Sequence, residues 1–391
     1  MKILFVSNLY GALARGGAES VVAAEAAALR SAGHTVVVVS GVPRAEIANG
    51  APVDTTENGV RHLTYAPPNL CFYTDLARHG FLFRLWWHAF DIGNVSSAAR
   101  LETIVRAEKP DIVHTHNLMG LGFMIPHMLR RLGVRHVHTV HDVQLLEPSG
   151  LLPADREFRP ALHQALSIRL MRAMMGSPEA VLFPSEFHKR LHERFGFFPQ
   201  SRRAVLRNPS AMVTGAAHSS ESIKNGKTFL FAGQLEAHKG ILDLLGAWEQ
   251  AYKEGMTLEI AGNGSLAVPV ADRAAKLRGV TMRGRLSGAD LTAAYTRASW
   301  LVLPSRVIEN APASITEAFS HGVPVIASAS GGIPEMVRHG ENGFLFPAGN
   351  VALLAELLTS AAHMAVPPHP KVAGVSAASH TEALLSAYQP Q

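Results

Sequence analysis

The sequence predicts an α/β protein made of two similar domains that face one another, and three observations predict it. Short apolar runs alternate with helical spacings along nearly all of the 391 residues, which is the rhythm of parallel strands joined by helices. That rhythm restarts midway: strand, glycine-bearing loop and helix open each half, from Lys2 to Arg30 and again from Thr228 to Tyr252. The length also exceeds what one hydrophobic core usually covers. The predicted division is a first domain at 1–208, a linker at 209–227, a second domain at 228–365, and a tail with a helix at 366–391 that packs back toward the first domain.

Composition narrows the class. Hydrophobic residues make up 47% and charged ones 17%, so the chain is globular. The single cysteine, Cys71, excludes a disulfide framework and a cysteine-based zinc site. It suits a reducing compartment, and a cytoplasmic location is expected. The opening MKILFVSNLYG is too short an apolar run for a secretory signal and reads as a first strand. No run approaches the roughly 18 apolar residues that a membrane span needs. The formal net charge of +5 permits attraction to anionic lipids or substrates. The basic residues are scattered and no nucleic-acid motif occurs, so nucleic acid is not an expected partner.

Lys2 to Ser7 is a continuous apolar strand, Asn8 to Gly17 a loop, Ala18 to Arg30 a helix, and Thr35 to Val39 the next strand. The loop GALARGGAES is not G-x-G-x-x-G. Gly16-Gly17 either lets a ligand approach the backbone or turns the chain into the helix. Val60 to Tyr65 is another strand. Phe81 to Phe90, FLFRLWWHAF, is the most aromatic segment. As a helix it either buries one face in the core or lies with that face on a membrane, where tryptophan is favoured. Ala98 to Ala107 is a helix stopped by Lys109-Pro110, and Asp111 to His116 is a buried strand. A helix then leads to Val134 to His141.

His114, His116, His136, His138 and His141 crowd the ends of those two strands. No helical His-x-x-x-His pair and no spaced carboxylate accompanies them, so no metal is expected. His136 and His138 share one strand face. His141 lies past the strand end, in the crevice where open α/β sheets bind ligands. There a neutral imidazole acts as a hydrogen-bond partner or base, or simply packs a loop. Val143 to Pro160 is a long loop without pattern, and such loops are often functional. A helix, the strand Ala180 to Phe183, the helix Glu186 to Phe195 and the strand Arg203 to Arg207 finish the first half.

In the second half, Thr228 to Ala232 is a strand, Gly233 to Gly240 a loop and Ile241 to Tyr252 a helix. Thr257 to Ala261 leads to Gly262-Asn263-Gly264, where G-x-G-x-x-A does occur. A nicotinamide enzyme would carry an acidic residue at the end of the next strand. Val280 to Arg283 instead runs into Gly284-Arg285, so this is a generic phosphate-side turn rather than a dinucleotide fingerprint.

The chain's most informative stretch runs from Leu301 to Val337. The strand Trp300 to Leu303 stops at Pro304-Ser305, a loop follows, and Ser314 to Ser320 is helical. Val323 to Ala327 is a further strand before Gly331-Gly332. A strand, a polar loop and a helix N-terminus aim backbone N–H groups and a positive dipole end at an anion. Glu309 and Glu317 bracket the loop and the first helical turn, and a carboxylate accepts two hydrogen bonds, as a vicinal diol requires. The pocket therefore suits a ligand that is both phosphate and polyol. Ser314-Ile315-Thr316-Glu317 also fits a capping box, which by itself would account for Glu317. Gly343 to Pro347, the helix Val351 to His363 and a last helix at His380 to Tyr388 close the chain.

At this point the chain resembles the GT-B glycosyltransferases, specifically the large retaining class called family 4. The resemblance rests on Gly16-Gly17-Ala18-Glu19, on Asp111 to Asn117 (DIVHTHN), on Thr139 to Asp142 (TVHD) and on Gly233 to Gly240 (GQLEAHKG). It rests also on Glu309 and Glu317 in an E-x7-E spacing and on Gly331-Gly332 followed by Glu335. It covers nearly the whole chain, is strongest from Phe231 to Gly349 and is weak from Ala45 to Ala107.

The resemblance implies two Rossmann-like domains with a cleft between them, a nucleotide-diphosphate sugar held by the second and a glycan or lipid-linked acceptor held by the first. By position, Glu317 would take the ribose hydroxyls, and Glu309 the transferred sugar, helped by the amides of Asn310, Ala311, Ala313 and Ser314. Pro312 has no N–H to give. Lys239 would face the diphosphate, Gly16 and Gly17 would approach it from the other domain, and Gly262 and Gly264 would shape its turn. His141 would contact the reacting sugar. One position departs from the family: Gln234 stands where an arginine is expected, and an amide offers neither the charge nor the fork of a guanidinium. Arg283 or Arg285 is the nearby substitute. No Asp-x-Asp occurs, which fits a metal-free enzyme without a cofactor. A position at the inner face of a membrane is compatible with the aromatic segment. An epimerase or phosphorylase on the same scaffold, and a non-catalytic sugar-nucleotide-binding relative, remain the alternatives.

Overall fold

The computed structural model describes residues 1–14, 16–47, 52–209, 226–364 and 377–390. Residues 210–225 of the predicted linker and 365–376 of the predicted tail lie outside them, as does Arg15 in the first loop. The chain forms two units, and they are not contiguous in sequence. The first takes residues 1–150, 160–209 and the C-terminal helix; the second takes 151–159 and the described residues from 226 to 364. Among the described residues, no helix is long and apolar enough to cross a membrane.

The first unit contains β1 (Lys2–Ser7), α1 (Gly17–Ser31), β2 (Thr35–Gly41), β3 (Val53–Glu57), β4 (Val60–Tyr65), α2 (Phe81–Ile92), α3 (Val95–Glu108) and β5 (Ile112–Thr115). It continues through α4 (Ile125–Leu132), β6 (His136–Thr139), α5 (Leu162–Met175), β7 (Ala180–Phe183), α6 (Glu186–Arg194) and β8 (Arg202–Val205). These strands make an eight-stranded sheet in the order β3-β4-β2-β1-β5-β6-β7-β8. Every neighbouring pair is parallel except β3 with β4. The sequence gives no sign of β3, because VDTTE lacks apolar alternation and stays mostly exposed. A two-residue turn recruits it: Asn58 and Gly59 both have positive φ, as the tightest hairpins require.

The segment FLFRLWWHAF is helical, but the expectation that it buries an apolar face in the core is corrected. Only Trp87 and Asp91 of α2 are buried, while Phe81, Leu82, Leu85, Trp86 and Phe90 are exposed. Polar contacts hold the helix in place. Trp87 Nε1 donates to Cys71 O at 2.9 Å, and the Asp91 carboxylate accepts from Gly120 N and Asn69 Nδ2, each at 2.9 Å.

In the second unit follow β9 (Thr228–Ala232), α7 (Ile241–Ala251), β10 (Thr257–Ala261), α8 (Ala267–Ala274), β11 (Val280–Gly284), α9 (Gly288–Arg297) and β12 (Trp300–Leu303). Then come α10 (Ala313–Ser320), β13 (Val325–Ser328), α11 (Ile333–Met336), β14 (Gly343–Phe346) and α12 (Val351–Ala361). The strands form a six-stranded parallel sheet in the order β11-β10-β9-β12-β13-β14. Continuous apolar runs make sense here because both faces are covered. Phe229, Phe231, Val302 and Ile326 enter one core, and Leu230, Leu301, Leu303 and Val325 enter the other. The second half of the predicted long loop belongs to this unit: Pro153 bridges to Val307, and Ile308 N donates to Leu152 O at 2.7 Å.

The last helix, α13 (Ala377–Ala387), completes the first unit. Leu384, Ala387 and Tyr388 join Phe5, Val22 and Leu29 in its core. Buried polar contacts fix the register. His380 Nε2 meets Glu25 Oε1 at 2.9 Å, and the Tyr388 hydroxyl meets His114 Nδ1 at 2.7 Å.

Candidate active site

Each sheet has one switch point, where chain order reverses between adjacent parallel strands. In the second sheet it falls between β9 and β12, and in the first between β1 and β5. The crevice beyond the carboxyl ends of such strands is where open α/β sheets bind ligands. The loops that leave β9 and β12 carry Lys239 and Glu309.

Those two side chains meet. Lys239 Nζ donates to Glu309 Oε1 at 2.7 Å, and the Ser305 hydroxyl donates to the same oxygen at 2.6 Å. Burial alone would raise the Glu309 pKa. The Lys239 charge and the hydrogen bonds from Lys239 and Ser305 outweigh it, and the carboxyl is held below its ordinary range. Charge-assisted bonds of this kind fix a rotamer as well as a protonation state. Ser305 lies two residues past β12 and is buried. Its position next to Pro304 gave no hint of this bond.

Two neighbouring segments brace the loop that carries Glu309. Gly332 N donates to Glu309 O at 2.8 Å, and Ser330 Oγ donates to Val307 O at 2.6 Å. Gly331 sits at φ +58°, and a Cβ there would fall 2.0 Å from Glu309 O, so no other residue fits. From the other side, Ala154 N donates to Arg306 O at 2.9 Å.

The capping-box reading of Glu317 is corrected. The helix begins one residue earlier than expected, at Ala313, with Pro312 as N-cap and no side-chain cap, so Ser314 lies inside it. Glu317 Oε2 instead accepts from the Tyr295 hydroxyl at 2.9 Å. Burial raises the Glu317 pKa, against the opposing effects of that bond and of His321. The Tyr295 ring stacks on His321, with centroids 5.3 Å apart. Tyr295 belongs to no motif in the sequence and becomes visible only through this contact. The N–H groups of Ala313 and Ser314 open α10, and Asn310 and Ala311 precede it in the loop, Asn310 being buried.

Other predicted donor-side residues lie elsewhere or serve differently. Gly262 and Gly264 let two loops approach. A Cβ on Gly262 would fall 1.8 Å from Gly233 O, and one on Gly264 would fall 2.5 Å from Leu235 O. The amide of Ser265 and its hydroxyl both donate to Glu236, at 2.7 and 2.6 Å, so an internal carboxylate already occupies this turn. In the structure, Glu236 is the side-chain partner of the turn that the sequence reads as a generic phosphate-side one. Arg283 is likewise committed: its guanidinium pairs with Glu259 at 3.0 Å, and Arg297 pairs with the same carboxylate at 3.0 Å. It is therefore no free substitute for the missing arginine. Gln234 is exposed on the β9 loop.

In the first unit, Gly16 N donates to Glu19 Oε2 at 2.8 Å, so Glu19 caps its own helix; Gly17 is that helix's first residue. His141 Nε2 and His116 Nδ1 are 2.9 Å apart with rings stacked, one nitrogen protonated and the other accepting. Burial lowers the His141 pKa to about 4 and that of His116 well below its usual range, so both are neutral at pH 7. Burial, with the Glu19 charge adding to it, lifts neighbouring Asp142 to about 6. Thr115 Oγ1 bonds both His136 Nε2 and His138 Nδ1, at 2.7 and 2.8 Å, which ties together the two histidines that share a strand face and leaves His136 Nδ1 buried without a hydrogen bond.

The donor atoms of Glu25, His114 and His116 lie within 4.8 Å of one another. His114, however, spends Nδ1 on Tyr388 and Nε2 on Thr139 Oγ1 at 2.8 Å, and Glu25 pairs with His380. A metal there would have to break the contacts that seat the C-terminal helix, so the residues do not fit one.

Two family models match the chain: Glycosyltransferase Family 4 over residues 15–209 and Glycosyl transferases group 1 over residues 226–363. A glycogen synthase of Mycobacterium tuberculosis is 28% identical over 375 residues, which is 92% of this chain and 86% of that one. An uncharacterized 42.6 kDa protein in the cps region of Klebsiella pneumoniae is 29% identical over 61% of this chain and 63% of its own length. Among solved structures, Anabaena HepE in complex with UDP and glucose superposes with a TM-score of 0.68 at 18% identity, covering 99% of this chain and 98% of that one. Sucrose-phosphate synthase from Thermosynechococcus elongatus gives 0.67 at 15% identity, covering 99% and 95%. Likeness at this level shows the fold, which is GT-B.

Proposed function

Because the chain belongs to the glycosyltransferases of family 4, we propose that it moves a sugar from a nucleotide-diphosphate sugar to a hydroxyl of a glycan, lipid-linked or small-molecule acceptor. The transfer retains anomeric configuration and needs no metal ion. The observation that carries this reading is the cluster of Lys239, Glu309 and Ser305 at the second switch point, beside the N-terminus of α10.

In this reading the second unit binds the donor. Glu317 has one oxygen fixed by Tyr295 and offers the other to the ribose hydroxyls. Lys239 and the first amides of α10 receive the diphosphate. Negative charge grows on that leaving group in the transition state, so a fixed ammonium and helix dipole favour the transition state over the ground state. These groups do the electrostatic work that a divalent ion does in enzymes with an Asp-x-Asp pair. Glu309, ionised and braced, takes hydroxyls of the transferred sugar. The neutral His141 and His116 suit an uncharged hydroxyl partner in the first unit.

A uridine donor is the first to test, since HepE holds UDP and glucose. Calorimetry across UDP-, GDP-, ADP- and TDP-sugars should find one that binds, and turnover with that donor should survive EDTA. Loss of turnover on chelation, with rescue by Mg²⁺ or Mn²⁺, would overturn the metal-free mechanism. The exposed Gln234 favours one second reading, a relative that binds the sugar nucleotide without transferring it. Binding without turnover against glycan and lipid acceptors would select it.

A further inference from the structure

The first unit carries a surface that its fold does not need. On α2, Leu82, Trp86 and Phe90 follow at i, i+4 and i+8, with Phe81 and Leu85 alongside, and all are exposed, Trp86 by 73%. On α5, Leu162, Leu166 and Leu170 make a second line at the same spacing, with Leu162 exposed by 89%. Residues four apart stack on one side of a helix, so each line is a continuous apolar stripe. The two helices border a common residue: Glu147 accepts from Gln164 of α5 and lies within electrostatic reach of His88 of α2.

Charge on these helices runs one way. Helix α5 has no acidic residue, and the only one in α2, Asp91, is buried. Arg84, Arg169 and Arg172 are exposed. Beside the α5 stripe, Arg169, Arg172 and Arg194 line an open groove of about 890 Å³ together with Gly176, Gly196 and Pro199, and no carboxylate lines it. Apolar stripes with an exposed tryptophan, flanked by arginines and with no exposed carboxylate on the two helices themselves, match one environment: the boundary between lipid headgroups and acyl chains of an anionic membrane.

We propose that α2 and the outward side of α5 form a docking surface for an anionic lipid bilayer, with the Arg169–Arg172–Arg194 groove receiving lipid phosphate. The stripes enter the acyl boundary while the guanidiniums pair with phosphates bidentately. The surface lies wholly within the first unit and contributes nothing to the donor site described above, so donor binding and docking fail separately.

The full chain is to be mixed with vesicles of phosphatidylcholine alone and of phosphatidylcholine with phosphatidylglycerol. Of the four tryptophans only Trp86 is exposed, so the chain carries its own probe. Anionic vesicles should blue-shift its emission, brominated lipid should quench it, and raised salt should weaken both. Partitioning should favour the anionic vesicles at least tenfold, at about fivefold for each arginine engaged. The double variants Leu82→Ser with Trp86→Ser, and Arg169→Glu with Arg172→Glu, should each lose about tenfold or more in partitioning. Both should keep the wild-type melting temperature and nucleotide affinity. Equal partitioning on both vesicles, an unmoved emission maximum, or undiminished binding by both variants overturns the proposal. So does a melting shift with inorganic phosphate unaccompanied by vesicle binding, which would mark the groove as a soluble-anion site. A dimer dissolved by the Trp86 variant, again without vesicle binding, would assign the face to a second copy of the chain.

Discussion

At the switch point of the second sheet an ammonium and a carboxylate share a hydrogen bond of 2.7 Å; at that of the first, two imidazoles share one of 2.9 Å. The topology is the same and the electrostatics differ. Burial acts on both places, and what differs is whether an opposite charge is hydrogen-bonded to the buried group. Glu309 has Lys239 and stays ionised, whereas His141 and His116 have each other and stay neutral. The comparison assigns charge to the second unit and uncharged hydrogen bonding to the first, a division that suits a charged donor and a hydroxyl acceptor.

The sharpest way to break this contrast is to remove the ammonium. Lys239→Ala should cost about 2–4 kcal/mol in kcat/KM. It should also shift the acid limb of the pH–rate profile upward, because burial then acts on Glu309 with only Ser305 and His238 opposing it. Unchanged kcat/KM would take Lys239 out of the site.

Next in size is the diol contact. Glu317→Gln should weaken donor-nucleotide binding by about 1.5–3 kcal/mol, since bonds to a charged acceptor are the stronger ones. Tyr295→Phe should lose about 1 kcal/mol through poorer positioning of the same carboxylate. Wild-type affinity in Glu317→Gln, measured by calorimetry, would sink the ribose assignment.

The neutral side of the contrast is tested by acid. The folded state lowers the His141 pKa from 6.5 to about 4. Its contribution to stability is therefore present above pH 6.5 and is lost as pH falls from there toward 4. Asp142, lifted to about 6, works in the opposite sense over part of that window. Comparing His141→Asn with wild type isolates the histidine: the variant's denaturation midpoint should fall less between pH 7 and 4, by about 1–3 kcal/mol in stability. Parallel curves would mean that His141 is not neutral in the fold.

The smallest effect is expected from Gln234→Arg. The position is exposed, so a guanidinium fits without strain, and turnover should stay equal or rise a fewfold. A collapse of activity would mean that the β9 loop does not present this position to the donor.

Much of this was legible in advance because parallel strands leave an unusually plain record. LFVS, VVVV, FLF and WLVL are continuous apolar runs, and each is a strand covered on both faces. Glu309 stood out in the sequence because it follows such a run in a polar loop, and Lys239 because of the family resemblance. Their pairing was not legible, because 70 positions separate them and no local pattern encodes the contact. Tyr295 was hidden for the same reason, its partner lying on another helix. Segment 151–159 was hidden because a lone bridge at Pro153 needs no apolar period. The aromatic helix was misplaced for a different reason. Periodicity reports that a helix has an apolar face and is silent on which way that face turns.

The seating of α13 bears on how the protein is made. Leu384, Ala387 and Tyr388 fill a core whose other members end at Leu206. At the usual pace of synthesis, the ribosome needs roughly ten to forty seconds to travel between those positions. Throughout that interval the emerging first unit has an open groove over Phe5 and Val22 and an unmatched Glu25, while the second unit is still being threaded out. Vectorial folding, one domain finished before the next begins, is closed to this chain. Its first unit is a folding problem solved by residues synthesised after those of the second unit.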